Sequence, residues 1–522
     1  MIPILTPQQM KQTDETAIKR FRIPSSVLME NAGTAVADVI GNILPGGILS
    51  RDSSSSYQVL VICGKGNNGG DGFVISRILL ERGFDVTTLL MDHPRELTGD
   101  AAVQYHTLFD AAPLDPPMQF KPAIVKKSRE RYTVIVDAML GTSFRGALRG
   151  KYLAAVKWCN QQNAIRIAVD IPTGLNGESG EVVSDAFRAD VTVTMSNPKS
   201  GFYIGRAKEF TGDVIAAQIG IPSKAIPKSI IQVVSTEDIQ RTFPKRAVNS
   251  HKHSVGKIFV LAGSRSMMGA ALLSSSAAMR TGAGQVILGI PESEYMVAAK
   301  RTIEVMPLPL PSTADGSLSM NALPEILRRM EWCDVLLIGC GLSRNEETQV
   351  LIRTVIKKCR KPMVIDADGL NALAADMSIL KGLRTKNLVL TPHVGEFSRL
   401  SGVSSKEIER DKFSLADHFA KEYRVTLVLK GAPSIVADAK GMISVNSTGN
   451  PGMSTAGSGD VLSGIVAALI GQGNDPGDAA VNGVFIHGAA GDAAAEKIGM
   501  QGMIASDIIT MLPSVIRKVT HR

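Results

Sequence analysis

A glycine-rich stretch in the second half of the chain ends at an acidic residue, and this combination could transfer a phosphoryl group. Residues Thr448–Asp460 read TGNPGMSTAGSGD, and apolar residues then recur every three or four positions from Val461 to Ile470. That spacing predicts a helix that begins where the glycines end. Free N–H groups at a helix start attract phosphate, and Asp460 beside them could take a proton from an attacking hydroxyl.

A plainer interpretation makes the same stretch a turn, with Asp460 as an ordinary charge at the start of a helix. A lone Gly-x-Gly-Asp would favour that interpretation. Here a second glycine cluster and a Thr-Gly-Asn-Pro-Gly segment precede the motif, and they favour an anion-binding site.

A second glycine-rich loop lies in the first half of the chain. It reads GKGNNGGDG at Gly64–Gly72, after an apolar strand pattern at Tyr57–Cys63 and before an amphipathic helix. Its glycines match a dinucleotide-binding pattern, with Asp92 at a suitable distance for a ribose hydroxyl, but the match alone is weak. The loop's amide and carboxylate oxygens would suit a hard cation or a ribose.

Two further strand patterns in the first half end in aspartate. Asp137 ends one of them, and Asp170 follows the next, three residues before Thr173. Ligands of open α/β sheets bind at the carboxyl ends of strands, so these residues and the loop Asn67–Asp71 are expected to converge. Each aspartate could instead cap its own loop. Two of them beside an Asn-Asn-Gly-Gly-Asp loop favour a site.

Polar loops also follow strand patterns in the second half. One such loop alone is more often a turn, but five at corresponding strand ends indicate a nucleotide pocket. They are Gly339–Ser343, Asp366–Asn371, Thr391–Phe397, Lys430–Gly431 and the glycine motif at Gly457–Asp460.

Composition limits the possible partners and compartments. The formal charge of +8 over 522 residues fits anionic small molecules, and no dense basic stripe with interleaved aromatic residues indicates a nucleic-acid partner. The densest basic run, at 121–131, is expected to be a solvated face. The five cysteines show no C-x-x-C spacing, which argues against a zinc or redox motif. Without a signal-peptide pattern or a membrane-spanning apolar run, we expect a cytoplasmic protein that contacts no membrane.

Alternating strand and helix patterns place these loops in two α/β domains. The first opens with a helix capped by Thr6 and Pro7, and a second helix begins near Pro24. Sparse periodicity and three prolines at positions 222, 227 and 244 mark a junction. We therefore expect a domain at 1–222, a linker at 223–247 and a second domain, with a largely parallel sheet, at 248–522.

The motifs of the first half resemble the NAD(P)HX epimerase family. They are the loop at Gly64–Gly72, Asp137 with Gly141–Ala147, and VDIPTGL at Val169–Leu175. The resemblance implies a three-layer Rossmann-like fold and exchange of the R and S epimers at C6 of hydrated NADH or NADPH, with bound K⁺. It implies Asp170 as the acid/base residue.

The implied site residues of this family follow from the matching motifs. K⁺ ligands would be Asn68, Asp137 and Thr173. Substrate contacts would be Asn67, Asn68, Gly69, Gly70, Asp71, Gly141, Thr142, Ser143, Phe144, Arg145, Gly146, Ala147, Tyr152 and Asp170.

The motifs of the second half resemble the NAD(P)HX dehydratase family, within the ribokinase-like superfamily. The resemblance rests on GCGL, DADGLN, TPHVGE and GSGD. It implies a ribokinase-like α/β fold and dehydration of S-NAD(P)HX through a phosphorylated intermediate. ADP or ATP, with Mg²⁺, would supply the phosphoryl group, and Asp460 would activate the C6 hydroxyl.

The resemblance implies two sets of contacts in this half. Substrate contacts would be Gly341, His393, Val394, Gly395, Glu396, Phe397, Ser398, Arg399 and Asp460. Nucleotide contacts would be Lys430, Gly431, Ala432, Pro433, Ser434, Asn450, Pro451, Gly452, Met453, Ser454, Thr455, Ala456, Gly457, Ser458 and Gly459.

Both resemblances together cover nearly the whole chain and match the bifunctional NAD(P)H-hydrate repair enzymes, which implies a homo-oligomer. Two alternatives stay open at this point. One is a vitamin or sugar kinase with an accessory domain, which would share the anion-binding motif but release a stable product. In the other, the first half is a non-catalytic binding module.

Overall fold

The computed structural model describes residues 1–44, 57–111, 117–121, 132–385 and 387–520. Within these ranges the chain forms two compact units, Pro3–Ser229 and Ile230–Arg522, the second of which includes Met1–Ile2. The serine-rich segment 50–56 and nearly all of the basic run at 121–131 lie outside the described residues. No helix among the described residues is long and apolar enough to cross a membrane.

The N-terminal unit is built on a seven-stranded sheet in which every pairing is parallel. The strand order is β4-β3-β2-β5-β6-β7-β8. After β1 (Ile2–Pro3), which joins the other sheet, the strands are β2 (Gln58–Cys63), β3 (Asp85–Leu90), β4 (Met118–Gln119), β5 (Val134–Ala138), β6 (Ile165–Val169), β7 (Val191–Met195) and β8 (Asp213–Ala217).

Helices cover both faces of this sheet and make three layers. Alternate residues of β2 face opposite cores: Val59 and Val61 pack with α2 and α3, whereas Leu60 and Ile62 pack with α5. The helices are α1 (Pro7–Lys19), α2 (Ser25–Ile43), α3 (Asn67–Glu81), α4 (Gly99–Ala111), α5 (Gly150–Cys159) and α6 (Lys208–Thr211).

The first helix begins where the capping pattern predicts. The Thr6 hydroxyl accepts a hydrogen bond from the Gln9 N–H at 3.2 Å, and the Gln9 side chain accepts one from the Thr6 N–H at 2.9 Å. Pro7 occupies the first helical position, where its missing N–H costs nothing. The second helix begins at Ser25, directly after Pro24, as predicted.

The C-terminal unit is built on an eleven-stranded sheet with the order β1-β9-β18-β17-β16-β15-β14-β13-β10-β11-β12. Pairings from β16 through β12 are parallel, and β17 pairs antiparallel with both neighbours. The strands are β9 (Ile231–Val233), β10 (Lys257–Leu261), β11 (Gln285–Pro291), β12 (Met306–Leu310), β13 (Val335–Ile338), β14 (Met363–Ile365), β15 (Leu388–Leu390), β16 (Thr426–Leu429), β17 (Ile435–Ala437) and β18 (Ile443–Val445).

One helix of this unit, α17, begins at the glycine motif and is buried. It packs with α8, α18 and α19 in one apolar core. The helices are α7 (Thr236–Thr242), α8 (Met268–Arg280), α9 (Tyr295–Arg301), α10 (Leu323–Trp332), α11 (Glu346–Lys358), α12 (Asp368–Ala374), α13 (Ser378–Lys381), α14 (Val394–Ser401), α15 (Ser405–Arg410), α16 (Lys412–Tyr423), α17 (Ser458–Gly471), α18 (Pro476–Ile498) and α19 (Ala505–Thr520).

Some elements were not predicted from the sequence. Residues 223–247, expected to be a linker, contain β9 and α7, and both belong to the C-terminal unit. The strand β12 was missed because its sequence, MPLPL, contains two prolines. A proline lacks the N–H that a central strand needs, but β12 lies at the edge of the sheet, where one side has no neighbour.

Candidate functional sites

In the N-terminal unit, the glycine-rich loop leads from β2 into α3 and packs tightly against the chain that follows β5. A Cβ atom on Gly64 would lie 1.8 Å from the carbonyl oxygen of Met139, so only glycine fits there. The Asn68 side chain donates a hydrogen bond to the carbonyl of Leu140 at 3.2 Å. The structure thus brings the loop Asn67–Asp71 beside the segment that follows Asp137, as the sequence predicts.

Asp137 is fully buried at the end of β5 and is held by Thr173. Its carboxylate accepts hydrogen bonds from the Thr173 N–H and hydroxyl, both at 2.8 Å, and from the Met139 N–H at 3.1 Å. The Thr173 hydroxyl oxygen also accepts one from the Leu140 N–H at 3.1 Å. Burial raises the pKa of Asp137 to about 6, although the hydrogen bonds from Thr173 and Met139 oppose this rise.

A buried oxygen without a partner lies in the same site. The Asn68 Oδ1 atom accepts no hydrogen bond from any of the residues that the structure describes. An orphaned buried oxygen costs free energy unless a donor or a cation fills the gap. Together with the carboxylate of Asp137 and the hydroxyl of Thr173, this oxygen makes a donor set that fits a hard cation such as K⁺.

Asp170 follows β6 in the left-handed backbone region, with φ at +64°, which is strained for a residue with a side chain. Its Oδ1 atom accepts a hydrogen bond from the Met195 N–H at 3.0 Å and one from the Thr194 hydroxyl at 3.4 Å. The ammonium group of Lys199 forms an ion pair with the same oxygen. The backbone and these donors give the Asp170 carboxylate a fixed orientation.

Two more acidic side chains interact electrostatically with Asp170. Burial and then the Asp170 charge raise the pKa of Asp14, on α1, to about 6, and the Lys199 charge opposes this rise. Burial, Asp170 and Asp14 raise the pKa of Asp71 well above its usual range, again with Lys199 opposing. A site with three carboxyl groups and one ammonium group can both take up and deliver protons.

The remaining residues that are predicted to contact substrate are the loop after Asp137 and Tyr152. Arg145 folds back and donates hydrogen bonds to the carbonyls of Thr142 and Phe144, at 2.7 and 2.8 Å. The Tyr152 hydroxyl donates to Asp92 at 2.5 Å, and the Lys151 ammonium donates to the other Asp92 oxygen at 2.8 Å. Asp92, considered above for a ribose hydroxyl, therefore binds side chains of its own chain.

In the C-terminal unit, Asp460 lies in the first turn of α17, as predicted from the helical spacing. Gly457 precedes the helix with φ at +90°, and a Cβ atom there would lie 2.4 Å from Leu273. A glycine is therefore required at this position. The free N–H groups of the first turn and Asp460 thus occupy the same end of the helix.

Residues from neighbouring parallel strands converge on Asp460. Its carboxylate, the Cys340 thiol after β13 and the Asp366 carboxylate after β14 lie within 4.8 Å of one another. The Lys430 ammonium, after β16, donates to one Asp366 oxygen at 2.8 Å, and the Ser463 hydroxyl donates to the other at 2.6 Å. Adjacent strand ends thus place a carboxylate and an ammonium group beside the start of α17.

The environment of Asp460 makes it a stronger base than an ordinary aspartate. Burial is the largest cause, and the neighbouring Asp366 charge adds to it, so that the pKa of Asp460 rises to about 6. A hydrogen bond with Cys340 and the Lys430 charge limit the rise. Burial also raises the pKa of the Cys340 thiol well above its usual range, so the thiol is the donor in that hydrogen bond.

The loop that begins at His393 joins the same site. The His393 Nδ1 atom accepts hydrogen bonds from the N–H groups of Gly395 and Glu396, and the Glu396 carboxylate accepts one from the His393 N–H at 2.9 Å. The Lys430 ammonium lies 3.9 Å from Glu396. Arg399, further along α14, donates to the Asn371 side chain at 3.1 Å.

The residues expected to contact a nucleotide lie in two loops. In one, the Asn450 side chain accepts a hydrogen bond from the Gly452 N–H at 3.0 Å and donates to Asp492 at 2.9 Å. In the other, the Ser434 hydroxyl accepts one from the Gly431 N–H at 3.2 Å. These bonds hold both loops in defined conformations.

The carboxylates of Asp366 and Asp460 suit Mg²⁺ in the presence of phosphate. Mg²⁺ usually keeps several waters and binds through one or two carboxylates together with substrate phosphates. The Cys340 thiol in the same cluster is not an oxygen ligand and holds a proton. The donor set therefore fits Mg²⁺ that arrives with a nucleotide.

Several residues of these sites were not predictable from the sequence. Lys199 and Asp14 lie outside the glycine-rich motifs, and no spacing in the sequence connects them with Asp170. The sequence places Asp366 and Cys340 in polar loops but indicates no individual role for either. The position of Asp366 directly after a strand was the available signal.

Each half of the chain matches a known protein family. A family model described as NAD(P)H-hydrate dehydratase matches residues 258–514, and one described as YjeF-related protein N-terminus matches residues 25–201. A bifunctional NAD(P)H-hydrate repair enzyme from Moorella thermoacetica is 38% identical over 99% of this chain and 97% of its own length. The enzyme of the same description from Escherichia coli is 34% identical over 92% and 91%.

A solved structure shows the fold of the second half. A ribokinase-like superfamily protein from Enterococcus faecalis, 23% identical, aligns with a TM-score of 0.50 over 57% of this chain and 99% of its own. The prediction of a ribokinase-like α/β domain is thereby confirmed.

Proposed function

The chain belongs to the family of bifunctional NAD(P)H-hydrate repair enzymes, and we propose that it restores hydrated NADH and NADPH by two activities in two sites. The N-terminal site interconverts the R and S epimers at C6 of the hydrated ring. The C-terminal site dehydrates the S epimer with ADP or ATP. The observation that carries the second activity is the convergence of Asp460, Asp366 and Lys430 at the start of α17.

In the dehydration, Asp460 takes the proton of the C6 hydroxyl while that oxygen attacks the terminal phosphoryl group of the nucleotide. The N–H groups at the start of α17 hold the transferring group. AMP or ADP leaves with the electron pair of the broken P–O bond. Phosphate then leaves C6 with the C6–O electron pair and takes up the proton that C5 releases, and the C5–C6 double bond forms. Phosphate is a far better leaving group than hydroxide, which gives the phosphorylation its purpose. Mg²⁺ that arrives with the nucleotide would neutralise charge on its phosphates, with Asp366 as its protein ligand, which leaves the Asp460 carboxylate free to act as the base.

In the epimerisation, Asp170 is the proposed acid/base group. It takes the proton of the C6 hydroxyl as the C6–N1 bond breaks, and the electron pair moves to N1 and the conjugated carboxamide. The resulting aldehyde carbon turns its other face to N1, the bond forms again, and the proton returns to oxygen. The fixed orientation of the Asp170 carboxylate favours such a transfer because no reorganisation is needed.

A potassium ion is the proposed cofactor of the N-terminal site. The unpartnered Asn68 oxygen supports this, with Asp137 and Thr173 beside it as further ligands. The cation would hold the loop Asn67–Asp71 against the segment after Asp137 and so shape the substrate pocket.

Several broader features are also proposals. We place the epimerase within the unit Pro3–Ser229 and the dehydratase within the unit Ile230–Arg522. We also expect a homo-oligomer that acts in the cytoplasm on small dinucleotide substrates. The proposed substrate contacts are those given by the family motifs, from Asn67 to Asp170 in the first site and from Gly341 to Asp460 in the second.

A defined mixture of R- and S-NADHX tests the proposed function. With ADP or ATP, Mg²⁺ and K⁺ present, absorbance near ~340 nm reports the return of reduced nicotinamide. Complete recovery, faster than the uncatalysed exchange of epimers allows, is expected. Recovery of only the S fraction would contradict the epimerase, and no nucleotide-dependent recovery would favour a kinase with a different substrate.

A further inference from the structure

The side chain of Lys199 is buried in the N-terminal site, and the reaction proposed above gives it no role. The side chain is only 1% exposed, and its ammonium group forms an ion pair with Asp170 and donates to the Thr194 hydroxyl at 2.6 Å. A buried ammonium group is costly unless charged and polar partners surround it. The ion pair with Asp170 therefore has to offset the free-energy cost of burying this ammonium group.

The backbone around Lys199 is fixed by the segment that precedes α1. The Leu5 N–H donates to the Pro198 carbonyl at 3.0 Å, and the Ser200 N–H donates to the Leu5 carbonyl at 2.9 Å. The Asn197 side chain donates to the Pro3 carbonyl at 2.8 Å. Lys199 therefore projects from a segment that is bonded on both sides, and its ammonium group has little freedom to leave Asp170.

Acidic side chains outnumber basic ones around Lys199, because Asp14, Asp71 and Asp170 interact there with a single ammonium group. Asp14 from α1 and Asp71 from α3 both interact with Asp170, and each raises the cost of a further negative charge. Lys199 acts in the opposite direction on both.

We propose that Lys199 is a positioning residue of the epimerase, whose buried ammonium group orients the Asp170 carboxylate toward substrate and offsets the charges of Asp14 and Asp71. This inference rests on the proposed function of the N-terminal site. All three donors to Asp170, namely Lys199, Thr194 and the Met195 N–H, bond to Oδ1, which leaves Oδ2 without a bond to these donors. Oδ2 is then the atom that takes the proton of the substrate hydroxyl.

Two charge changes of opposite sign test this role in the full-length chain. Lys199→Met removes the cation and keeps an apolar stem, so Asp170 should be protonated more readily. The acidic limb of the pH–rate profile for R-epimer conversion should move to higher pH by about one unit or more. Asp14→Asn removes a negative neighbour and should move the same limb to lower pH.

Lys199→Arg is the matched control because it keeps the charge. Its acidic limb should stay near that of the wild type even if its rate falls. S-epimer dehydration should stay unchanged in all three variants, which verifies the concentration of active chain. Circular dichroism and limited proteolysis verify that the variants fold.

The outcomes separate this inference from the proposed function. A wild-type chain that does not exchange the epimers would refute the proposed function itself. The positioning role is overturned if the wild type is active and the acidic limb of the pH–rate profile of Lys199→Met lies at the wild-type pH. This holds whether the variant is fast or uniformly slow. Where Lys199→Met does not fold, the downward shift in Asp14→Asn decides, and its absence would overturn the role as well.

Discussion

Lowering the pH from 7 to 5 is expected to slow dehydration about tenfold, because the Asp460 carboxylate is lost over that interval. Burial and the neighbouring Asp366 raise the pKa of Asp460 to about 6. The ionised fraction is then roughly nine-tenths at pH 7 and roughly one-tenth at pH 5. An ordinary aspartate, with a pKa near 3.8, would stay ionised throughout this range.

Two variants of Cys340 show whether its hydrogen bond to Asp460 influences the pKa of Asp460. The bond lowers the pKa of Asp460, so Cys340→Ala should move the acidic limb of the profile to higher pH. Cys340→Ser keeps a hydroxyl donor at the same place and should leave the limb nearer to its wild-type position. The comparison separates the loss of the donor from the change of the side chain.

The assay measures kcat/KM for purified S-NADHX with saturating nucleotide and Mg²⁺, through the absorbance of the reduced product. Asp460→Asn, measured at each pH, supplies the background, since hydrated nicotinamides also react in acid without enzyme. A kcat/KM that stays constant between pH 7 and pH 5 would refute the argument, because it would show that no group with a pKa near 6 acts as the base.

Two further predictions concern the proposed K⁺ of the N-terminal site and the Lys430 ammonium group of the C-terminal site. Asn68→Ala removes the unpartnered oxygen, so the K⁺ concentration that gives half-maximal epimerisation should rise about tenfold, measured at constant ionic strength with Na⁺ as the control. An unchanged K⁺ requirement would exclude Asn68 as a ligand. Lys430→Met leaves Asp366 without its ammonium partner, so dehydration at pH 7 should fall at least about tenfold, while epimerisation stays normal. Full dehydratase activity in this variant would contradict the importance of the pair.

The sequence predicted the elements that carry strong periodic patterns. The apolar runs at 165–169, 335–338, 363–365, 388–390 and 426–429 predict strands, and β6, β13, β14, β15 and β16 have these bounds. Such runs are typical of strands that are buried on both faces of a parallel sheet. The edge strand β12 and the three-residue strands β17 and β18 were not predicted. The prolines of β12 mask its strand pattern, and β17 and β18 are too short to show a clear alternation, although all three pair with strands near them in sequence.

The sites were predictable to the extent that they lie in dense motifs at strand ends. Thr173 bonds to Asp137, and Asn68 bonds to the segment that follows Asp137, because the parallel order of β2, β5 and β6 brings their carboxyl ends together. The partners of Asp170 were not predictable. Lys199 reaches it from a loop after β7, and Asp14 reaches it from the first helix, so tertiary packing alone brings them together.

The central claim, that one chain holds two independent repair activities, is tested most directly by one aspartate exchange in each site. Asp170→Asn and Asp460→Asn are each given an R/S mixture of NADHX with nucleotide, Mg²⁺ and K⁺. The first should convert the S fraction at the wild-type rate and leave the R fraction to uncatalysed exchange. The second should exchange the epimers and form no NADH. Wild-type R-epimer consumption by Asp170→Asn, or NADH formation by Asp460→Asn, would contradict the account.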